Sequence, residues 1–288
     1  MSHRRPPPPS ETPGIGGERG LAPGVVSHCG SKMVTPGDGG RFLVVFDFDE
    51  TLVNESSDDA VVRTAPGQVL PDWLKASYRE GQYNEQMQRV MAYLAQQGVA
   101  ESAIRTEIQR IPETPGLSAL LDFLRAHAED FECVVMSDAN SYFIETWLQH
   151  AGARPLFSEI FTNPAHFDPS GRLVLMPHHD HSCPYCPDNM CKRRILSDFL
   201  ERRGQAGGRY QRVFYVGDGA NDVCPCLVLG DADVAFTRRG FPMHRILTHK
   251  QQQQQEPPQA EGGVRASIQP WSSGQEIVEY LQKIVQER

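Results

Sequence analysis

Five short runs of apolar, β-branched and aromatic character, at Phe42–Phe46, Phe131–Met136, Glu159–Thr162, Val213–Val216 and Ala232–Phe236, alternate with longer stretches of helical periodicity. Runs of this kind suit strands buried on both faces, and strands separated by crossover helices make a mostly parallel sheet. The expected fold is therefore α/β, with a Rossmann-like core. At 288 residues the chain suits one such core with an inserted subdomain better than two independent domains.

The gap between the first two runs is where the insertion falls. From Asp72 to about Gln97, Tyr83, Met87, Val90, Met91 and Leu94 recur at helical spacing, which predicts an amphipathic helix or helix pair, with a shorter helix at Glu101–Arg110. A small helical cap at about 55–112 would sit over the carboxyl ends of the strands, where open α/β sheets bind ligands. The methionines and tyrosines of its stripe read as packing. The core itself is expected to span 41–250 and to regain a strand and helix at 264–288, where Ser273 and Glu276 resemble a capping box ahead of Ile277, Val278, Leu281, Ile284 and Val285. Residues 1–40, rich in Pro, Gly, Ser and charge, are expected to form a disordered arm, and 251–263, which opens with consecutive glutamines followed by Pro257 and Pro258, a solvated loop. These polar ends explain why apolar residues are only 39% of the chain.

The first run ends in Phe46-Asp47-Phe48-Asp49-Glu50-Thr51. Residues i and i+2 of a strand face the same side, so a curled strand end can offer Asp47 as nucleophile and Asp49 as general acid and base. Acids after a strand are also ordinary turn formers, and the other motifs decide between the two readings. Ser137 and Asp138 follow the second run and place a hydroxyl where it can hold a phosphoryl group, or else form a helix N-cap. Lys192 heads an apolar helical pattern (Ile195, Leu196, Phe199, Leu200) and either aims an ammonium at the strand ends or, with Arg193 and Arg194, begins a solvated basic helix. Gly217-Asp218-Gly219-Ala220-Asn221-Asp222 follows the fourth run, where glycines allow a tight turn and two carboxylates suit a hard cation such as Mg2+.

In this order the motifs resemble those of the haloacid dehalogenase superfamily. The resemblance implies that Asp47 is the nucleophile, that Asp49 protonates the leaving group and then activates water, and that Ser137 and Lys192 steady the phosphoryl oxygens. It also implies a magnesium site built from Asp47, Asp49 through its main-chain carbonyl and Asp218, to which the turn's own spacing adds Asp222. More narrowly, FDFDETLVNESSDD, YREGQYNEQM, SDANSYF, CPDNMCK and FYVGDGANDVCP are similar to the vertebrate phosphoethanolamine/phosphocholine phosphatases, from about Arg41 to Arg245. That similarity implies release of phosphate from both compounds, substrate binding by Asp58 and Asp138, and a part in skeletal mineralisation, with cytoplasmic protein carried into matrix vesicles. Asp58 and Asp59 at the cap entrance give it a physical complement, because an ammonium head group needs anions; Asp58 alone reads equally as an N-cap. Tyr78, Tyr83 and Tyr142 are candidates for cation–π contact.

A net charge of −8 excludes the basic face of an ordinary nucleic-acid binder. No apolar run approaches the roughly 18 residues that span a bilayer, and the amino terminus lacks the hydrophobic stretch of a secretory signal. Seven cysteines do not form a secreted disulfide framework. His178, His179 and His181 precede Cys183, Cys186 and Cys191, a C-x2-C-x4-C pattern that can hold a structural zinc ion, form a Pro-braced loop of reduced thiols, or make a redox-labile pair. Cys224 and Cys226 read as buried small residues rather than ligands for a hard cation. Three rivals stand beside a head-group phosphatase: a phosphatase for phosphoserine or pyridoxal phosphate, an aspartyl-phosphate binding switch, and a dead scaffold. Asp49 argues against the switch, since an acid so placed speeds hydrolysis. The acidic cap entrance favours an amine-bearing substrate without a carboxylate.

Overall fold

The computed structural model describes residues 40–253 and 263–287. The arm expected at 1–40, apart from Gly40, and most of the loop expected at 251–263 lie outside the described residues.

In chain order the elements are β1 (Arg41–Phe46), α1 (Ser57–Val62), α2 (Asp72–Lys75), α3 (Tyr83–Gln96), α4 (Glu101–Gln109), α5 (Leu117–Ala126), β2 (Phe131–Asn140), α6 (Ser141–His150), β3 (Phe157–Asn163), β4 (Ala165–Phe167), β5 (Leu173–Leu175), α7 (Lys192–Gln205), β6 (Tyr210–Gly217), α8 (Val223–Cys226), β7 (Val234–Arg238), α9 (Pro242–Gln253), β8 (Ser267–Trp271) and α10 (Gly274–Gln286). Six strands form one sheet in the order β3-β2-β1-β6-β7-β8, and every pairing is parallel. The α/β, Rossmann-like expectation therefore holds, and β1 lies centrally with its carboxyl end between those of β2 and β6.

Period-two alternation along β1 divides the core. Phe42, Val44 and Phe46 pack with α5, α6 and α10 on one face, and Leu43 and Val45 pack with α7 and α9 on the other. Burial on both faces is why β1 reads as an unbroken apolar run. Helices α1 to α4 all fall between β1 and β2. Met87, Val90 and Met91 of α3, with Ile104 and Ile108 of α4, are buried, so the methionine stripe does pack. Tyr83 departs from it and remains 42% exposed.

Ser273 caps helix α10 as expected, but the side-chain bonds are each shifted by one residue from those of a capping box. Ser273 Oγ accepts from the Gln275 N–H at 3.2 Å, and Glu276 Oε1 accepts from the Ser272 N–H at 3.0 Å. Strand β8 is an edge strand containing Pro270, which a central strand could not accommodate. The glutamine-rich segment also differs in part from expectation, since α9 continues through Gln253.

Candidate active site at the carboxyl ends of the central strands

Strand β1 delivers Asp47 directly to the sheet edge, where its N–H donates to Val216 O of β6 at 2.9 Å. The chain then turns sharply. Phe48 O accepts from the N–H groups of Thr51, Leu52 and Val53 at 3.2, 2.8 and 3.1 Å, and Glu50 adopts a left-handed backbone with φ of 51°. Arg238, at the end of β7, secures this turn by donating to Glu50 O at 2.6 Å and Glu50 Oε2 at 2.8 Å, and it also reaches Asn54 Oδ1. No motif points to Arg238, because the contact spans most of the chain.

Asp47 is buried. Its Oδ1 accepts from the Phe48 N–H at 2.7 Å and its Oδ2 pairs with Lys192 Nζ at 2.7 Å. Lys192 is the first residue of α7 and is fully buried, so it is not the start of a solvated basic helix. The same ammonium donates to Asp222 Oδ1 at 2.7 Å. Burial by itself disfavours the charged amine, but Asp222 and Asp47 outweigh it and hold Lys192 protonated, with its pKa raised.

Asp222 accepts four hydrogen bonds. Tyr215 O–H shares Oδ1 at 2.7 Å, and the N–H groups of Asp218 and Gly219 reach Oδ2 at 3.1 and 2.9 Å. Tyr215 has no precedent in the motif reading, since in sequence it is one aromatic among the apolar residues of β6. The arrangement also explains Gly217, where a Cβ would lie 2.6 Å from Asp222 Cγ. Gly217→Ala is expected to displace Asp222 and to lower stability by about 1–3 kcal/mol, measured by thermal or denaturant unfolding.

Carboxylate oxygens of Asp47, Asp218 and Asp222 all come within 4.8 Å of one another. Asp218 Oδ1 accepts from Thr51 Oγ1 at 3.2 Å. These three buried acids share one buried ammonium, so the site is short of positive charge. Burial, followed by repulsion from Asp222, raises Asp47 and pushes Asp218 up to about 8. A hard divalent cation meets both needs of this donor set, having oxygen ligands and charge to neutralise.

Asp49 lies outside that group. Its oxygens accept from the Ser57 N–H at 2.8 Å and the Ser57 O–H at 3.1 Å, at the start of α1. Burial outweighs these bonds and pushes its pKa up to about 7. Ser137 is fully buried within the extended end of β2, with Oγ accepting from the Ala139 N–H at 3.3 Å. Neither Ser137 nor Asp138 caps a helix, because Asn140 caps α6 by accepting from the Phe143 N–H at 3.0 Å.

Beside these groups a small cleft is lined by Asp58, Tyr83, Asn84, Met87, Asp138, Ala139, Asn140, Leu175 and Asn189. None of these residues is cationic. Asp58 is not the N-cap of α1, since Ser56 takes that role by accepting from the Asp59 N–H at 3.3 Å. Asp58 is instead buried, and its pKa is raised well above the usual range by burial and then by Asp49, Asp138 and Asp59. Of the three candidate tyrosines only Tyr83 lines this cleft; Tyr142 packs on Phe167 and donates to Glu101.

The backbone is similar to that of a phosphoserine phosphatase solved as a phospho-aspartyl intermediate analogue, with a TM-score of 0.53, 18% identity, and coverage of 84% of this chain and 99% of that one. Fold and relatives together define the class of α/β phosphatases. Within it, the chain belongs to the family described as Putative Phosphatase, whose model matches residues 42–285. Relatives include "Probable phosphatase phospho1" of Danio rerio, 53% identical over 89% of this chain and 91% of that protein. The "Phosphoethanolamine/phosphocholine phosphatase" of Homo sapiens is 48% identical over 85% of this chain and 90% of its own length. "Pyridoxal phosphate phosphatase PHOSPHO2" of Mus musculus is 42% identical over 85% and 99%.

Proposed function

We propose that the chain hydrolyses small phosphomonoesters with cationic head groups, phosphoethanolamine and phosphocholine, in a magnesium-dependent reaction through an aspartyl-phosphate on Asp47. The observation that carries this reading is the fixed Asp47 carboxylate, held between the Phe48 N–H and the Lys192 ammonium, with Asp49 nearby at a pKa of about 7.

Asp47 would attack phosphorus as the bond to the leaving alcohol breaks, and Asp49 would give its proton to the departing oxygen. Water would then attack the acyl phosphate, return a proton to Asp49 and free both inorganic phosphate and Asp47. A pKa near 7 suits a group that must give and take a proton in turn. Ser137 and Lys192 would hold the phosphoryl oxygens. Asp47 and Asp218, with the main-chain carbonyl of Asp49, would hold magnesium, which when bound supplies positive charge to the phosphate. Asp222 stands within reach of the same point, but its four hydrogen bonds fit it better to anchor Lys192 and the Asp218 turn.

The cleft supports this substrate class. Asp58 and Asp138 line it with no cation among its walls, and Tyr83 adds an aromatic ring, a setting that attracts an ammonium group and repels a further carboxylate. The similarity to the human relative named for these substrates supports the same choice. The phosphate release that mineral deposition consumes, in vesicles outside the cell, is the biological setting this reading implies. No helix among the described residues is long and apolar enough to cross a membrane.

The test is phosphate release, with magnesium, from phosphocholine, phosphoethanolamine, phosphoserine and pyridoxal phosphate. The first two should be turned over fastest. Asp58→Asn should lower kcat/KM for them by about 10- to 100-fold, the loss of a charge-assisted contact, and so narrow their lead over pyridoxal phosphate. Because burial and the neighbouring acids disfavour ionisation of Asp58, a permanently neutral amide should also stabilise the ligand-free protein by about 1–3 kcal/mol. A preference for pyridoxal phosphate in the wild type, or an equal loss on every substrate in the variant, would refute head-group recognition.

A further inference from the structure

The irregular segment 176–191, between β5 and α7, takes no part in the phosphoryl chemistry above, yet it carries three cysteines to one place. The Sγ atoms of Cys183, Cys186 and Cys191 converge there with that of Cys224 from α8, all within 4.8 Å of one another. Cys183 and Cys224 are 41 residues apart in sequence, and their sulfurs are 3.7 Å apart. A tetrahedral zinc ion with Zn–S bonds of about 2.3 Å separates its sulfur ligands by about 3.8 Å. A disulfide would need about 2.0 Å, and all four residues are free thiols.

We propose that Cys183, Cys186, Cys191 and Cys224 form a four-thiolate site for one zinc ion, distinct from the carboxylate site for magnesium. Four sulfur donors without an oxygen select a soft or borderline ion, just as the oxygen set of Asp47 and Asp218 selects a hard one. The nearby histidines are engaged elsewhere. His178 Nδ1 meets Thr162 O at 2.9 Å, and His181 meets Pro187 O through Nε2 at 2.8 Å while its Nδ1 accepts the Cys183 N–H at 3.1 Å. His179 Nε2 faces the Cys191 N–H at 3.4 Å. Histidines alone made the fourth ligand ambiguous in sequence; Cys224 supplies it from a distant element.

The ion would act on the active site through the backbone. Cys191 immediately precedes Lys192, and Cys224 follows Asp222 by two residues, so one ion would tie together the two segments that carry the Lys192–Asp222 contact of 2.7 Å. It would also brace Asn189, which lines the acidic cleft. Such a crosslink gives a segment with little regular structure the stability that its own core cannot provide.

The full chain, purified without chelators, should contain close to one zinc per molecule by inductively coupled plasma mass spectrometry. Replacement by cobalt should give the thiolate charge-transfer bands and intense d–d absorption of a tetrahedral thiolate site. Cys224→Ser and Cys183→Ser should each lose the ion and these bands, whereas Cys133→Ser, in β2, should keep both. Stripping the ion with a strong thiol-compatible chelator should lower Tm by on the order of 10 °C. Should a variant fail to fold, the metal content and cobalt spectrum of the wild type still decide the matter. Metal-free wild type that forms no such cobalt spectrum, or a mass showing disulfides among these cysteines in freshly prepared protein, would overturn the site.

Discussion

Asp47→Asn is expected to abolish magnesium-dependent phosphate release, by at least about a thousandfold in kcat, while leaving a folded protein. The amide is nearly isosteric and can still accept from the Phe48 N–H, so the turn after β1 keeps its support. What it loses is the anionic oxygen that would attack phosphorus. Replacing a buried acid that sits among Asp222, Asp138 and Asp218 also removes repulsion, which limits any destabilisation even though Lys192 loses one of its two carboxylate partners. Steady-state phosphate release and circular dichroism check the two halves together. Activity retained in a folded Asp47→Asn protein would rule out the aspartyl-phosphate route, and wild-type activity that persists after magnesium is chelated would rule out the cation.

Lys192→Ala is expected to cost both activity and stability. The lysine is 1% exposed, and its ammonium pairs with Asp47 and Asp222 at 2.7 Å each. Removing it leaves two buried carboxylates without their shared cation, together with a cavity the size of the side chain. Breaking a buried charge pair in this way costs about 3–5 kcal/mol. Magnesium brings positive charge to the same acids, so the deficit should shrink when the ion is added. Denaturant unfolding with and without magnesium measures this directly. A loss below about 1 kcal/mol in both conditions would show that the ammonium is not the counter-charge of this site.

Much of this architecture was legible in the chain. Strand β1 is buried on both faces, so its apolar run could not pass for a surface element, and Asp47 had to lie at its end. Strand β2 was harder to delimit, since it extends through Ser137 and Asp138 to Asn140, where polar residues meet the site rather than the core. The two three-residue strands β4 and β5 were too short to show a period. For Ser137, Asp138 and Asp58, sequence alone left capping roles open. The fold decided those cases by giving the caps to Asn140 and Ser56.

Local chemistry is written in local sequence, because strand period, turn glycines and capping residues act over only a few positions. From these came the parallel sheet, the order of the acids and the lysine, and the helical insertion after β1. Partnerships between distant segments leave no such pattern. Arg238 on the Asp47 turn, Tyr83 rather than Tyr142 in the acidic cleft, and Cys224 beside Cys183 each depend on how β7, α3 and α8 pack against segments far away in the chain. Such contacts form only once the core has brought those elements together, so only the tertiary structure could decide them.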